Sequence, residues 1–184
     1  MIYIQDNYFE EETFKALQDY AFNNDFVIKK AGEKEFSVLD TPESLIPILQ
    51  INGHKLILTF IRKAYKGFDN ELRIHADNII SGYKTALASV IYINDNLGVT
   101  VNGTSFYRHN KYGFKLPEDV TDKEFDRIII EDSNDLSKWE KETSSVSSYP
   151  NRRVLYDSNY FHSKYPNEIK EGERIVLVNF YTKE

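Results

Sequence analysis

The sequence contains no cysteine. Disulfides and thiolate metal sites are therefore excluded, and any bound metal must be held by histidine, carboxylate or water. Histidine is also scarce, since the chain has only His54, His75, His109 and His162. Each candidate for imidazole chemistry can therefore be considered singly.

Long apolar runs and basic clusters are missing as well. No window approaches the roughly 20 apolar residues that a membrane span needs, and no charged leader precedes an apolar segment. The net charge is −6 and no Lys/Arg stripe could follow a phosphate backbone, so we expect neither a membrane nor nucleic acid as partner. The sequence predicts a cytoplasmic protein and leaves its oligomeric state open.

Aromatic residues are abundant, with 13 tyrosines and 12 phenylalanines among 184 residues. This composition favours a sheet-rich fold with a partly polar interior. The length is typical of one domain, predicted here over residues 1–184. Within it we expect helical support from residues 1–66 and a β core from residues 67–184. The charged stretch 111–150 is predicted to form an excursion or lid over a site.

Helices are predicted mainly in the first third of the chain. Apolar residues at three- and four-residue spacing predict amphipathic helices over residues 10–23 and 53–66. Thr41-Pro42 has the pattern of a helix start, with a capping threonine followed by proline. Residues 26–30 and 35–39 are predicted to form a β-hairpin.

After Gly67 the pattern changes to that of strands. Predicted strands cover residues 71–77, 84–94, 99–108, 127–131, 152–157 and 173–182. So many strands separated by turn residues indicate a sandwich or barrel with helices packed outside.

One strand carries the most informative residues, His75 and Asp77. Residues two apart on a strand point to the same face, so the pair presents an imidazole beside a carboxylate. These are suitable adjacent ligands for a borderline metal such as Fe(II). The alternative is an exposed strand with two polar side chains. We expect His54 to be solvated or capping, and His109 to lie behind the ligands, to face substrate or to be solvated.

Two further residues indicate an anion site. Arg174 opens the apolar last strand, where a guanidinium needs an anion partner and its planar fork suits a carboxylate. The alternative is an exposed arginine at a strand end. Tyr92 shares its strand face with Ala88 and Val90, which fits either a pocket wall or a core aromatic.

Taken together, His75-x-Asp77, His162 and Arg174 occur in an order that resembles the Fe(II)/2-oxoglutarate-dependent oxygenases, especially the prolyl-4-hydroxylase-like branch. Three stretches between them also resemble that family in order: Val90–Asn94, Gly103–Arg108 and Arg153–His162. The resemblance covers about residues 70–182.

The resemblance implies a mainly β (α+β) fold, a double-stranded β-helix (jelly-roll, cupin-like) core with N-terminal supporting helices. It implies Fe(II) bound by His75, Asp77 and His162, with 2-oxoglutarate and dioxygen at the remaining positions. Arg174 and Tyr92 would bind the C5 carboxylate, with Tyr83 as a further candidate. The implied reaction is hydroxylation of an unactivated C–H bond in an amino-acid, peptidyl or small-metabolite substrate, with release of succinate and CO2.

Two other classes of protein share such a fold. A non-catalytic jelly-roll binding module would not need His162 and Arg174 together. A cupin-type metalloprotein such as a sugar isomerase usually has a His-x-His pair, which this chain lacks. The joint presence of the four residues therefore favours an oxygenase over either alternative.

Overall fold

The computed structural model describes residues 1–31, 34–69, 73–94, 103–140, 144–165, 169 and 171–184. The helices are α1 (Glu11–Asn23) and α2 (Asp122–Asp126), and the latter continues into a π-helical turn, Arg127–Glu131. The strands are β1 (Ile2–Gln5), β2 (Val27–Ala31), β3 (Lys34–Asp40), β4 (His54–Tyr65), β5 (Ile79–Ile80), β6 (Tyr83–Lys84), β7 (Leu87–Tyr92), β8 (Gly103–Phe106), β9 (Ser144–Ser147), β10 (Arg153–Asp157), β11 (His162–Tyr165) and β12 (Glu173–Lys183). Short 3-10 turns cover Glu43–Leu45, Asp132–Asn134 and Leu136–Lys138.

Two antiparallel sheets form the body of the fold. The larger has seven strands in the order β1-β10-β7-β12-β4-β3-β2, and the smaller has three in the order β11-β8-β9. Apolar side chains from both sheets meet in one buried cluster, in which Phe106 and Val146 of the smaller sheet join residues of β7, β10 and β12. The predicted mainly β jelly-roll fold class is confirmed.

Strand alternation fixes which residues face this inter-sheet space. Across β7 and β12, Tyr92 lies opposite Val176 and Val90 lies opposite Val178. Across β10 and β7, Val154 lies opposite Val90 in the same way. These residues all belong to the buried cluster between the sheets. Arg174, two residues before Val176, therefore lies on the same inner face.

The other face of the large sheet is covered by α1, whose predicted span of residues 10–23 is confirmed. Leu17 and Ala21 of the helix pack with Ile91 and Leu177 in a second buried cluster. Gln18 also donates a hydrogen bond of 2.8 Å from Nε2 to the carbonyl oxygen of Ile93. Glu11 and Glu12 occupy the first helical turn, where acidic side chains stabilise the helix dipole.

The helix predicted over residues 53–66 is wrong, because this segment is the strand β4. It pairs with β12 on one side and β3 on the other, near the middle of the large sheet. A strand with such neighbours buries apolar side chains on both faces, and an apolar run of that kind also satisfies helical spacing. Among the described residues of the range 1–66, helical support is therefore limited to α1 and one short turn.

Two shorter predictions also need correction. After Thr41-Pro42 only the 3-10 turn Glu43–Leu45 forms, since Pro47 cannot donate the backbone hydrogen bond of a longer helix. Residues 127–131 are helical and not a strand, because they continue α2, whose first turn is capped by the Thr121 side chain accepting from the backbone N–H of Glu124.

The remaining strand predictions agree with the structure except near residue 75. The hairpin appears as β2–β3, and the strands predicted over residues 84–94, 152–157 and 173–182 correspond to β7, β10 and β12. The stretch 99–108 contains β8, while its residues 99–102 lie outside the described part of the chain. Of the strand predicted over residues 71–77, residues 71–72 lie outside the described part of the chain, and residues 73–77 form one isolated bridge, at His75. Among the described residues, no helix is long and apolar enough to cross a membrane.

Candidate metal centre

Three potential ligands converge at one end of the inter-sheet space. One ligand atom from each of His75, Asp77 and His162 lies within 4.8 Å of the others. Nε2 of His75 is 3.5 Å from Oδ1 of Asp77, and Nε2 of His162 is 3.3 Å from Oδ2. Ligands bound at right angles through metal bonds of about 2.1 Å would lie about 3 Å apart. The observed spacing therefore fits a small divalent cation.

Backbone pairing brings these distant residues together. The N–H of His75 donates to the carbonyl oxygen of His162 at 3.0 Å, and the reverse bond measures 2.9 Å. The N–H of Asp77 donates to the carbonyl oxygen of Ser158 at 2.7 Å. Residues 73–77, here called the ligand segment, are thus held at His75 and Asp77 by the turn and strand that carry His162.

The hydrogen bond at Nδ1 of each imidazole, His75 and His162, identifies the tautomer of that ring. Nδ1 of His75 lies 2.9 Å from the carbonyl oxygen of Arg73, and Nδ1 of His162 lies 2.9 Å from that of Tyr160. A carbonyl only accepts, so each Nδ1 carries the proton and each Nε2 keeps its lone pair. Both Nε2 atoms therefore present lone pairs beside Asp77, which is the arrangement of a metal site.

Burial and mutual charge keep the site in its ligating form. Burial, with a smaller contribution from His162, lowers the pKa of His75 from 6.5 to about 3. Burial would raise the pKa of Asp77, but its interactions with His162 and His75 outweigh this and the pKa is lowered. At neutral pH the site therefore combines a neutral His75 imidazole with an ionised carboxylate.

The described residues of the excursion (111–140 and 144–150) include several that pack behind the ligand segment. Ile74 and Ala76, which point away from the ligands, are buried in a third cluster with Trp139 and Phe161. The N–H of Ile74 donates to the carbonyl oxygen of Ser133 at 3.1 Å. These residues of the excursion therefore support the ligand segment from its back.

His109 belongs to this support and is not solvated. It is 3 % exposed, and its Nε2 lies 3.2 Å from Oδ2 of Asp132. Arg127 donates to the same oxygen at 2.7 Å, and the indole N–H of Trp139 donates to the backbone carbonyl of Asp132 at 2.8 Å. Among the three positions expected for His109, the structure places it behind the ligands.

Arg174 lies buried on the inner face of β12. It is 6 % exposed, its Nη2 donates a long bond of 3.4 Å to the carbonyl oxygen of Gly103, and its Nε has no hydrogen-bond partner. Within the described part of the chain no carboxylate forms an ion pair with this guanidinium, and burial lowers its pKa. A buried cation without an anion is costly, so this arrangement fits a site for an incoming carboxylate.

Tyr92 forms one wall beside Arg174, whose guanidinium carbon lies 5.7 Å from the ring centroid. Its hydroxyl is 2.8 Å from Oγ1 of Thr104, a residue to which the sequence assigns no role. Burial raises the pKa of Tyr92, with opposition from Arg174, so the phenol keeps its proton and can donate. Tyr83 is 52 % exposed on the β5–β6 hairpin, which does not fit a buried anion pocket.

Tyr156 also lies at the site, although the sequence assigns it no role. Its hydroxyl is 3.1 Å from Nε2 of His162, and its ring is packed against Phe106 with centroids 5.3 Å apart. Alternation in β10 places Tyr156 on one face with Val154, but the sequence does not indicate which face is internal. Only the pairing of β10 with β7 shows that Tyr156 faces the space between the sheets.

Solved structures show the class of fold to which this arrangement belongs. HygX from Streptomyces hygroscopicus, with nickel and 2-oxoglutarate bound, is similar with a TM-score of 0.62, 12% identity and coverage of 99% of this chain and 82% of HygX. The carbocyclase SnoK from nogalamycin biosynthesis is similar with a TM-score of 0.65 and 14% identity, over 99% of this chain and 79% of SnoK. The viral collagen prolyl hydroxylase of Paramecium Bursaria Chlorella virus-1 is similar with a TM-score of 0.59 and 9% identity, over 100% of this chain and 90% of the hydroxylase. The chain has the jelly-roll fold of Fe(II)/2-oxoglutarate oxygenases.

The sequence itself matches a family described as "Family of unknown function (DUF6445)" over residues 73–174. This match spans more than half of the chain, which therefore belongs to that family. Its limits run from the ligand segment to Arg174. A search of curated proteins found no match.

Proposed function

We propose that this protein is an Fe(II)- and 2-oxoglutarate-dependent dioxygenase. In this proposal it hydroxylates an unactivated C–H bond of an amino-acid, peptidyl or small-metabolite substrate and releases succinate and CO2. The observation that carries the proposal is the convergence of two imidazole lone pairs and one carboxylate in the same inter-sheet space as Arg174, a buried arginine with no ion-pair partner among the residues that the structure describes.

His75, Asp77 and His162 would hold the iron. Two imidazoles and one carboxylate on one face of an octahedral metal leave three positions open, which is the ligand set of non-haem Fe(II) oxygenases. The Nδ1 hydrogen bonds to backbone carbonyls orient both rings and increase their basicity. When bound, the iron with 2-oxoglutarate and dioxygen supplies the oxidising chemistry.

Arg174, Tyr92 and Thr104 would hold the far carboxylate of 2-oxoglutarate. Nε of Arg174 is available because no described residue accepts a hydrogen bond from it, and the Tyr92 hydroxyl can exchange its Thr104 contact for a carboxylate oxygen. A charge-assisted contact of this kind neutralises the buried guanidinium. This chain's contribution is therefore to fix the position and orientation of the cosubstrate relative to the metal.

Two observations on similar proteins support this proposal. HygX has been solved with nickel, 2-oxoglutarate and hygromycin B together, and SnoK is described as alpha-ketoglutarate dependent. Both share the fold at low identity, so they support the class of chemistry and leave the substrate to experiment.

Succinate formation from 2-oxoglutarate tests the proposal directly. The purified protein, supplied with Fe(II), 2-oxoglutarate and oxygen, is expected to form succinate slowly by itself and faster with a true substrate. Asp77→Ala should abolish this, whereas Asp19→Ala, which removes an exposed carboxylate of α1, should not. A folded protein that binds 2-oxoglutarate and forms no succinate with any candidate would indicate the non-catalytic binding module instead.

A further inference from the structure

The hydroxyl of Tyr156 is hydrogen-bonded to Nε2 of His162, the same atom that would bind a metal. Nδ1 of His162 carries its proton because it faces the carbonyl oxygen of Tyr160 at 2.9 Å, so Nε2 can only accept. The Tyr156 hydroxyl, 3.1 Å away, therefore donates to Nε2. The same lone pair cannot bind a metal and accept this hydrogen bond together. Metal binding at His162 thus removes the acceptor of Tyr156.

A buried phenol that loses its acceptor needs another one. Tyr156 is 2 % exposed, and the rings that pack against it are Phe106 and the His162 imidazole, with centroids 5.3 and 4.7 Å away. Neither ring offers a free lone pair once the metal is bound. The acceptors then left at this end of the site are the Asp77 carboxylate, whose Oδ2 lies 3.3 Å from Nε2 of His162, and an oxygen of an incoming ligand. Since Asp77 would itself bind the metal and an unpaired buried hydroxyl costs free energy, the metal-loaded site favours a ligand that supplies an acceptor.

The position of Tyr156 indicates where that acceptor enters. Tyr156 packs in the inter-sheet cluster that also contains Tyr92, beside Arg174. Its hydroxyl contacts His162 at the metal end. A ligand that extends from Arg174 to the metal therefore lies in the same inter-sheet space as the Tyr156 ring, with its metal end beside the Tyr156 hydroxyl.

We propose that Tyr156 is a cosubstrate-positioning residue whose hydroxyl changes from His162 to the metal-bound oxo-acid end of 2-oxoglutarate when the metal is present. This inference rests on the proposed function. It gives the site an order of binding, because the hydrogen bond to the cosubstrate becomes available only after the metal has displaced Tyr156 from His162.

Tyr156→Phe removes the hydroxyl and keeps the ring. The affinity for Co(II) is measured by titration calorimetry, and the affinity for 2-oxoglutarate is measured anaerobically from the visible band of the Fe(II) complex. The dissociation constant of 2-oxoglutarate is expected to rise about 10- to 100-fold, as for loss of a hydrogen bond to a charged group. The metal affinity is expected to stay the same or increase, since a competing hydrogen bond is gone. The band is also expected to shift, because the donor acts on the metal-bound end of the acid.

Tyr181→Phe is the matched control. It removes another buried phenol hydroxyl, one that donates to the carbonyl oxygen of Leu49 at 2.9 Å in a different buried cluster. This variant should leave both affinities and the band unchanged.

The outcomes separate this inference from the proposed function. If the unmodified protein binds 2-oxoglutarate and Tyr156→Phe binds it equally well with an unshifted band, the inference is wrong and the proposed function stands. If Tyr156→Phe weakens metal binding, the hydroxyl serves the ligand set and the inference is also wrong. If the unmodified protein with metal binds no 2-oxoglutarate, both fail.

Discussion

His75 and His162 are joined by both backbone hydrogen bonds of a single β-bridge, at 3.0 and 2.9 Å, and their imidazole centroids lie 4.4 Å apart. The bridge fixes the separation of the two rings, because the backbone of each residue is held by the other. A metal site built on such a pair is organised before any metal arrives, which lowers the conformational cost of binding.

Arg174→Met is expected to have opposite effects on stability and on cosubstrate binding. It replaces a buried guanidinium that has no ion-pair partner among the described residues by an apolar chain, so the free energy of unfolding without ligand should stay equal or rise by about 1–4 kcal/mol. Binding of 2-oxoglutarate should weaken about 100-fold or more, since the charged partner is lost. Denaturant unfolding and calorimetry measure the two effects. Arg152→Met, at an arginine already paired with Asp6, should not weaken 2-oxoglutarate binding. A strongly destabilised Arg174→Met would contradict the account.

Gly103→Ala tests the close approach of β8 to β9. A Cβ at this position would overlap the carbonyl oxygen of Val146, so the strands must separate and the Gly103 carbonyl must shift away from Arg174. We expect a loss of about 1–3 kcal/mol in unfolding free energy and weaker 2-oxoglutarate binding. Ser145→Ala, which removes only a hydroxyl contact to Ser105, should cost about 1 kcal/mol and leave the affinity unchanged. If Gly103→Ala and Ser145→Ala have the same unfolding free energy and the same 2-oxoglutarate affinity, the close packing of Gly103 against β9 is not important and the prediction is wrong.

Asp132→Asn tests the support behind the ligand segment. The change weakens the bonds that Asp132 accepts from His109 and Arg127, and we expect it to cost about 1–3 kcal/mol of stability. Because the carbonyl of Ser133 holds the N–H of Ile74, Co(II) binding should also weaken several-fold. The exposed Asp126→Asn in the same segment should change the stability by less than about 0.5 kcal/mol. If Asp132→Asn is destabilised but binds Co(II) with unchanged affinity, the packing behind the ligand segment does not influence metal binding and the prediction is wrong.

The free energy of unfolding of the metal-free protein is expected to decrease as the pH is lowered below about 6.5. In the unfolded chain His75 takes up a proton near its ordinary pKa of 6.5, whereas the folded state binds that proton only near pH 3. The unfolded state therefore binds more protons in this window, and stability decreases as the pH decreases. Thermal unfolding of His75→Gln between pH 7 and 4 should show a flatter decline than the unmodified protein. His54→Gln is the control, since His54 lies outside the ligand set, and it should retain the full decline.

The residues that the sequence proposes as ligands lie together in the structure, although several elements around them differ from the prediction. His75 and Asp77 share a face because alternation acts even in an extended segment with one bridge, and the rare histidines left few partners. In contrast, β4 was predicted as a helix because a strand buried within the sheet has apolar residues at helical spacing as well.

Other features depended on long-range pairing that no local pattern contains. The position of Tyr156 follows from the partners of β10, and that of His109 follows from the packing of Trp139 and Asp132 around it. The exposure of Tyr83 likewise results from its place on a two-stranded hairpin that belongs to neither the seven-stranded nor the three-stranded sheet. These are tertiary relationships, so residue type and spacing could not predict them.

The anaerobic absorption spectrum tests the central claim most directly. Fe(II) is added to the metal-free protein without oxygen, 2-oxoglutarate is added next, and the visible metal-to-ligand charge-transfer band is recorded. The account predicts that the band appears in the unmodified protein and in Asp19→Ala and is absent in a folded Asp77→Ala. No band in the folded, unmodified protein at saturating Fe(II) and 2-oxoglutarate would contradict it.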